Sequence, residues 1–134
     1  MPSLSQWMVR ASLLYLGAGF TLGALILFDK GVPYEPDVWR FLPLHIEMLI
    51  LGWMVQLAMG IAYWILPRFG TQRRKIPFAS LGFLTLNLGI LLVGIGTWQQ
   101  SWTDLALVGR IAELGAAAAF VGHAWPRVKA PGVR

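Results

Sequence analysis

The chain has 134 residues, of which 57% are hydrophobic and only 13% are charged, with a formal net charge of +5. Soluble globular domains have about 25% charged residues, so this composition excludes an ordinary soluble protein. The absence of cysteine excludes disulfides, thiolate metal sites, iron–sulfur clusters and covalent c-type haem attachment. Because the basic residues adjoin hydrophobic runs, they favour retention of loops on the cytoplasmic side of a membrane over nucleic-acid binding.

Four segments are long and apolar enough to cross a bilayer, which takes about 20 residues. The first is too long for a cleaved signal peptide, and no small-residue cleavage site precedes the polar loop after it. The sequence therefore predicts one all-α membrane domain over residues 1–134 with four transmembrane helices. Their approximate bounds are Trp7 to Phe28, Phe41 to Leu66, Pro77 to Trp98 and Asp104 to Trp125.

The charges in the connections predict the orientation of these helices. The connection after the second helix is basic without an acid, the C-terminal tail is also basic, and the connection after the third helix has no basic residue. By the positive-inside rule, both termini then face the cytoplasm, and we expect the protein in the inner membrane of a bacterium. The basic residues are Arg68, Arg73, Arg74 and Lys75 in the connection, and Arg127, Lys129 and Arg134 in the tail.

The second predicted helix carries His45 near its outer end. Gly52 follows seven residues later, which places it on the same face about 10 Å further along an α-helix. Gln56 and Gly60 continue this face at four-residue spacing. The imidazole nitrogen of His45 and the space left by the missing side chain of Gly52 would together accommodate a flat ring system with a metal ion. The alternatives are a histidine that hydrogen-bonds across a helix interface and glycines that permit close helix packing.

The segment from His45 to Arg68, HIEMLILGWMVQLAMGIAYWILPR, resembles the second helix of the catalytic subunit of haem–copper oxidases. The resemblance is closest to C-type oxidases, to nitric oxide reductases and to a family of membrane haem proteins of the nitric oxide response. These families share a histidine near the outer end of the helix, glycines lower down and a Pro-Arg-like exit. The resemblance implies that His45 is an axial iron ligand of a b-type haem. We expect Met48, Gly52 and Gln56 of the same helix to lie beside this haem.

The chain also departs from these families. It has far fewer helices, and it lacks the further histidines of a binuclear centre, so one chain cannot form a site that reduces oxygen or nitric oxide. The resemblance implies a haem protein without that catalytic centre, which acts in electron transfer with a respiratory-chain partner or in haem or gas binding. Two alternatives stay open: a haem-free accessory or assembly subunit of a respiratory complex, and a small transporter that uses Arg110 and Glu113.

Two arginines, Arg40 and Arg110, are predicted near the depth of His45. Either one is able to neutralise haem propionates, because arginine binds carboxylates in bidentate fashion. Either is also able to snorkel to the lipid headgroups, and Arg110 has Glu47 and Glu113 as further possible partners. His123 is predicted on the opposite side of the membrane, about 25 Å from His45, so the two cannot bind one metal within a chain.

A six-coordinate iron needs a second axial ligand. Met48 is one turn from His45 on the same helix and cannot readily reach the opposite face of the ring. We therefore expect a homo-oligomer, either a dimer in which two copies of His45 share one haem or a higher cyclic oligomer, with a five-coordinate haem as the alternative. Small residues predict close helix packing: Gly17, Gly19 and Gly23 in the first helix, Gly82, Gly89, Gly94 and Gly96 in the third, and Ala116 to Ala119 in the fourth.

Overall fold

A computed structural model of the chain describes residues 1–33, 37–67, 76–99 and 102–128. These residues form helices and no strand. The four predicted helices are confirmed, and all are long and apolar enough to cross a membrane. The first helix is Ser3–Gly31, the second is Val38–Ile65, the third is Ile76–Trp98, and the fourth is Thr103–Ala124, followed by a 3-10 turn at Trp125–Arg127. The basic connection with Arg68, Arg73, Arg74 and Lys75, and the tail residues Lys129 and Arg134, lie outside the described residues.

The surface of the helices is apolar. Large hydrophobic side chains are exposed on all four, and the most exposed include Leu14 at 75%, Leu114 at 72% and Trp125 at 77%. Inside the structure, only 17–33% of each hydrophobic span is buried. A monomeric soluble protein rarely exposes contiguous apolar surface on this scale, whereas lipid is a suitable solvent for it. The structure is therefore compatible with an integral membrane protein.

The second helix changes its winding along its length. A 3-10 turn at Val38–Phe41 leads into an α-helical turn at Leu42–Glu47, then a π-helical stretch at Met48–Val55 and a final α-helix at Gln56–Ile65. Pro43 lies in the first turn of the α-helical part, where its missing N–H costs no hydrogen bond. A π-helix has i→i+5 hydrogen bonds and turns less per residue than an α-helix. Residues seven apart across this stretch are therefore rotated away from the common face that α-helical spacing predicts.

The second helix is the central element, because it contacts all three of the others. The first helix packs along it, and the third and fourth helices form a tightly packed hairpin. A Cβ atom added at Gly89 or at Gly109 would lie 2.8 Å from the backbone carbonyl oxygen of the other glycine. The predicted packing role of Gly89 is thus confirmed, since only small residues permit backbones to approach this closely.

Candidate functional site

His45 lies against the first helix, at the end of the bundle where the first helix ends at Gly31 and the second begins; we call this the Gly31 end. The Nδ1 atom of His45 is 2.8 Å from the carbonyl oxygen of Gly19. A Cβ atom added at Gly23 would lie 2.5 Å from Cε1 and 3.2 Å from Nε2 of the imidazole. The ring therefore occupies the space that the missing side chain of Gly23 leaves beside it.

The hydrogen bond to Gly19 determines which nitrogen of His45 carries the proton. A carbonyl oxygen only accepts, so the Nδ1–H donates, and the Nε2 of the neutral imidazole keeps its lone pair. Metal-ligating histidines almost always donate their other N–H group to a carbonyl, a carboxylate or water, which fixes the tautomer and the ring orientation. In its neutral form, His45 thus presents Nε2 as the ring nitrogen that is able to bind a metal ion.

A cavity of about 300 Å³ lies beside the His45 ring. It opens between the last turns of the first helix and the start of the second. Its walls are mostly apolar, with one histidine, one lysine and one indole among them. The lining residues are Gly23, Ile26, Leu27, Lys30, Trp39, Leu42 and His45.

Gly52 and Gly60 contact the first helix, as the packing alternative predicts. A Cβ atom at Gly52 would lie 2.5 Å from Cγ of Tyr15, and one at Gly60 would lie 3.0 Å from Cβ of Met8. The hydroxyl of Ser5 also donates a hydrogen bond of 2.6 Å to the carbonyl oxygen of Gly60. A flat ring beside Gly52 would have to displace Tyr15. Within this chain, the free space next to His45 is instead the cavity at the Gly31 end.

Met48 and Gln56 also make contacts with neighbouring helices. A Cβ atom at Gly19 would lie 3.4 Å from Cβ of Met48, which is half-buried against the first helix. The side-chain amide of Asn87 in the third helix donates a hydrogen bond of 2.7 Å to Oε1 of Gln56. The side chain of Gln56 therefore faces the third helix, whereas that of His45 faces the first helix. The π-helical stretch between His45 and Gln56 accounts for this rotation.

Arg110 binds the two buried carboxylates that the sequence placed near its depth. Its Nη1 atom is 2.5 Å and 2.7 Å from the two carboxylate oxygens of Glu47, and 3.5 Å from Oε2 of Glu113. The side chains of Glu47 and Glu113 are 4% and 7% exposed, whereas that of Arg110 is 50% exposed. The pairing of Arg110 with acids of its own chain is confirmed. These three residues, here called the Glu–Arg–Glu cluster, join the second helix to the fourth.

Arg40 pairs with its own helix neighbour. Its Nη2 atom donates a hydrogen bond of 2.9 Å to Oδ1 of Asp37, and both side chains are exposed. Exposed ion pairs contribute about 0.2–1 kcal/mol in water. Arg40 does not line the His45 cavity.

His123, near the end of the fourth helix, lies at the opposite end of the bundle from His45, as predicted. Its buried ring stacks on Tyr63 with centroids 5.2 Å apart, and it also contacts Phe120. The guanidinium carbon of Arg127 is 6.0 Å from the centre of the Tyr63 ring. Because Tyr63 lies 18 positions after His45, the two histidines cannot meet on one ion within the chain. The described residues contain no group of three or more His, Cys, Asp or Glu that is able to hold a metal ion.

Sequence reasoning missed the residues that hold and flank His45. Gly19 and Gly23 stand four residues apart, on one face of the first helix, and this spacing was visible as a packing signal. Nothing in the spacing distinguishes a glycine that accepts a histidine from one that accepts a leucine. No protein-family model, curated protein or solved structure matches the chain.

Proposed function

We propose that this chain is a membrane protein that binds b-type haem through Nε2 of His45 and acts in electron transfer or in haem or gas-ligand binding. The observation that carries the proposal is the hydrogen bond from Nδ1–H of His45 to Gly19, since it leaves Nε2 as the other ring nitrogen of a histidine that lines a cavity. Haem, when bound, supplies the one-electron or gas-binding chemistry, and imidazole is a suitable ligand for its iron.

The residues around His45 are compatible with such a ligand. Ile26, Leu27 and Leu42 give the cavity apolar walls, as the faces of a porphyrin require. His45 itself is only half-buried, so the cavity does not enclose a whole macrocycle within one chain. Part of the ring would lie against lipid or against a second copy of the chain.

This partial enclosure supports the proposal of a homo-oligomer. In the simplest form, two copies contribute one His45 each to the two faces of one iron, since a two-fold interface presents the same patch twice. A higher cyclic oligomer with one haem per chain, and a five-coordinate haem with an open face, are the other forms. The electron partner in each case is a component of a respiratory chain.

We place the protein in the inner membrane of a bacterium, with both termini in the cytoplasm. The basic connection and tail support this orientation through the positive-inside rule. The Gly31 end, with the His45 cavity, is then the outer end. The absence of an enzymatic role belongs to the same proposal, since one chain supplies a single histidine to this site.

The test is the visible spectrum and haem content of the purified protein and of His45→Ala. A shared site gives one haem per two chains, a low-spin spectrum and complete loss of haem in His45→Ala. His123→Ala is the matched control and should keep its haem, because His123 lies at the opposite end of the bundle. Haem that is fully retained in His45→Ala would exclude the proposed ligand, whereas one haem per chain would exclude only the shared site.

A haem-free accessory subunit of a respiratory complex is the second candidate. The half-exposed guanidinium of Arg110 within the fourth helix favours it, because a charged group facing lipid is costly and a neighbouring membrane protein is able to cover it. A small transporter built on Arg110 and Glu113 is the third. Both predict a colourless protein that takes up no haem when haem is supplied in excess.

A further inference from the structure

We infer that Lys30 forms an anion-binding subsite at the His45 cavity and binds the carboxylates of the haem. This inference rests on the proposed function. Lys30 and His45 line the same cavity, from the first and the second helix respectively. A ligand that occupies this cavity is therefore adjacent to both His45 and Lys30.

The spacing of the two residues agrees with the dimensions of haem. Gly23 contacts the His45 ring, and Lys30 follows it by seven residues, which is two helical turns or about 10 Å toward the Gly31 end. Residues seven apart share a helix face, so Gly23 and Lys30 border the same cavity. Along the axis of the first helix, Lys30 thus lies about one porphyrin width (about 10 Å) from the level of His45, toward the Gly31 end.

The other cations near this end are already engaged. Arg40 binds Asp37, and Arg110 binds Glu47 and Glu113. Neither arginine lines the cavity. Lys30 is exposed, and no salt bridge joins it to an acid among the residues that the structure describes. Of these three residues, Lys30 is therefore the one whose charge is available to a carboxylate in the cavity.

Lys30 also stabilises the end of the first helix, and the experiment must distinguish this structural role from binding of the ligand. It lies in the last turn of the first helix, where a positive charge stabilises the negative end of the helix dipole. That role does not depend on the chemical form of the ligand. A ligand without free carboxylates therefore distinguishes the two roles.

The experiment titrates the full-length protein, purified without haem, with haem b and with its dimethyl ester. The wild type should bind haem about 2- to 5-fold more tightly than the ester, as expected for one solvent-accessible ion pair. Lys30→Gln should bind both forms equally, and Lys30→Arg should keep the preference. Arg40→Gln is the matched control and should behave as the wild type.

A preference of Lys30→Gln for haem equal to that of the wild type would overturn the inference, and so would a wild type that shows no preference. Equal weakening of haem and ester in Lys30→Gln would also overturn it, because that is the result of a structural role. These outcomes leave the ligand assignment intact as long as His45→Ala binds neither form. Binding of both forms by His45→Ala would instead contradict the proposed function.

Discussion

The imidazole of His45 is held by backbone atoms rather than by another side chain. Its Nδ1–H is bound to the carbonyl oxygen of Gly19, and its Cε1 edge adjoins the Cα of Gly23. Both contacts depend on close approach of the first two helices. The ligand geometry is therefore sensitive to any atom added at Gly23.

Under the proposed haem-binding function, Gly23→Ala should displace the His45 ring and lower the haem content of the protein. The added Cβ would lie 2.5 Å from Cε1, which is closer than two non-bonded carbon atoms approach, so the ring or the first helix must shift and we expect the hydrogen bond to Gly19 to be disturbed. The change is read from the ratio of haem to protein in the purified variant. Gly17→Ala, where an added Cβ meets no atom within 4 Å, is the control and should keep the wild-type ratio. Equal haem content in the two variants would show that the contact at Gly23 does not position the ligand.

The sequence predicts His45 as the nitrogen donor, but it was not sufficient to identify the residues that surround this side chain. The expected haem surface assumed α-helical phase from His45 to Gly52 and Gln56. The π-helical stretch changes that phase, and Tyr15 fills the space at Gly52. Apolar residues fill this stretch in either winding, and the contact of Tyr15 with Gly52 depends on how the first and second helices pack, so neither effect has a sequence signal.

At the scale of the helices, the Glu–Arg–Glu cluster joins two elements that are distant along the chain. Glu47 of the second helix and Arg110 of the fourth are separated by 63 positions. Two buried carboxylates share one guanidinium nitrogen there, which makes each of them dependent on Arg110. The cluster therefore specifies how the hairpin of the third and fourth helices docks against the second helix.

Substitution of Arg110 should lower the free energy of unfolding more than substitution of Arg40, the other arginine that pairs with an acid. Arg110→Gln leaves Glu47 and Glu113 buried without a cation. The expected destabilisation is about 1–3 kcal/mol, below the 3–5 kcal/mol for a fully buried pair because Arg110 is half exposed. Arg40→Gln, which breaks only an exposed pair, should cost less than about 1 kcal/mol. Both values are measured as free energies of unfolding in detergent.

The double variant Arg110→Gln/Glu47→Gln completes this comparison. It removes one of the stranded charges, so it should recover part of the stability that Arg110→Gln loses. Strictly additive losses in the double variant would show that the two residues do not stabilise the fold through their contact.

The helices themselves were predictable almost to their ends. Hydropathy identified all four, and the described structure extends the first to Ser3 and Gly31 and begins the second at Val38 with a 3-10 turn. Helix ends commonly differ by a few residues, because terminal turns lack the full set of intrahelical hydrogen bonds. The contact between Arg110 and Glu47 was one of several alternatives, and only the docking of the helices decided among them.

For the whole molecule, the orientation in the membrane is testable by labelling, because the chain has no cysteine of its own. Gln99→Cys and Val128→Cys place single thiols at exposed positions near opposite ends of the bundle. Under the proposed orientation in a bacterial inner membrane, a maleimide that cannot cross this membrane should label Gln99→Cys in intact cells whose outer membrane admits the reagent. Val128→Cys should be labelled only after the cells are opened. Labelling of both positions from outside would contradict the four-span topology.

Glu47 precedes Arg110 and Glu113 by more than 60 positions along the chain, and this order has a consequence for when their contact forms during synthesis. Each charge at the centre of a membrane helix costs about 2.5–3.5 kcal/mol during insertion, and the fourth helix carries two of them. Its acid and base partly compensate one another one turn apart, but the strongest partner of Arg110 is on the second helix, which is synthesised much earlier. The contact between Glu47 and Arg110 therefore forms only after the last helix has been synthesised. A chain that ends before the fourth helix therefore lacks the guanidinium that neutralises Glu47 in the complete fold.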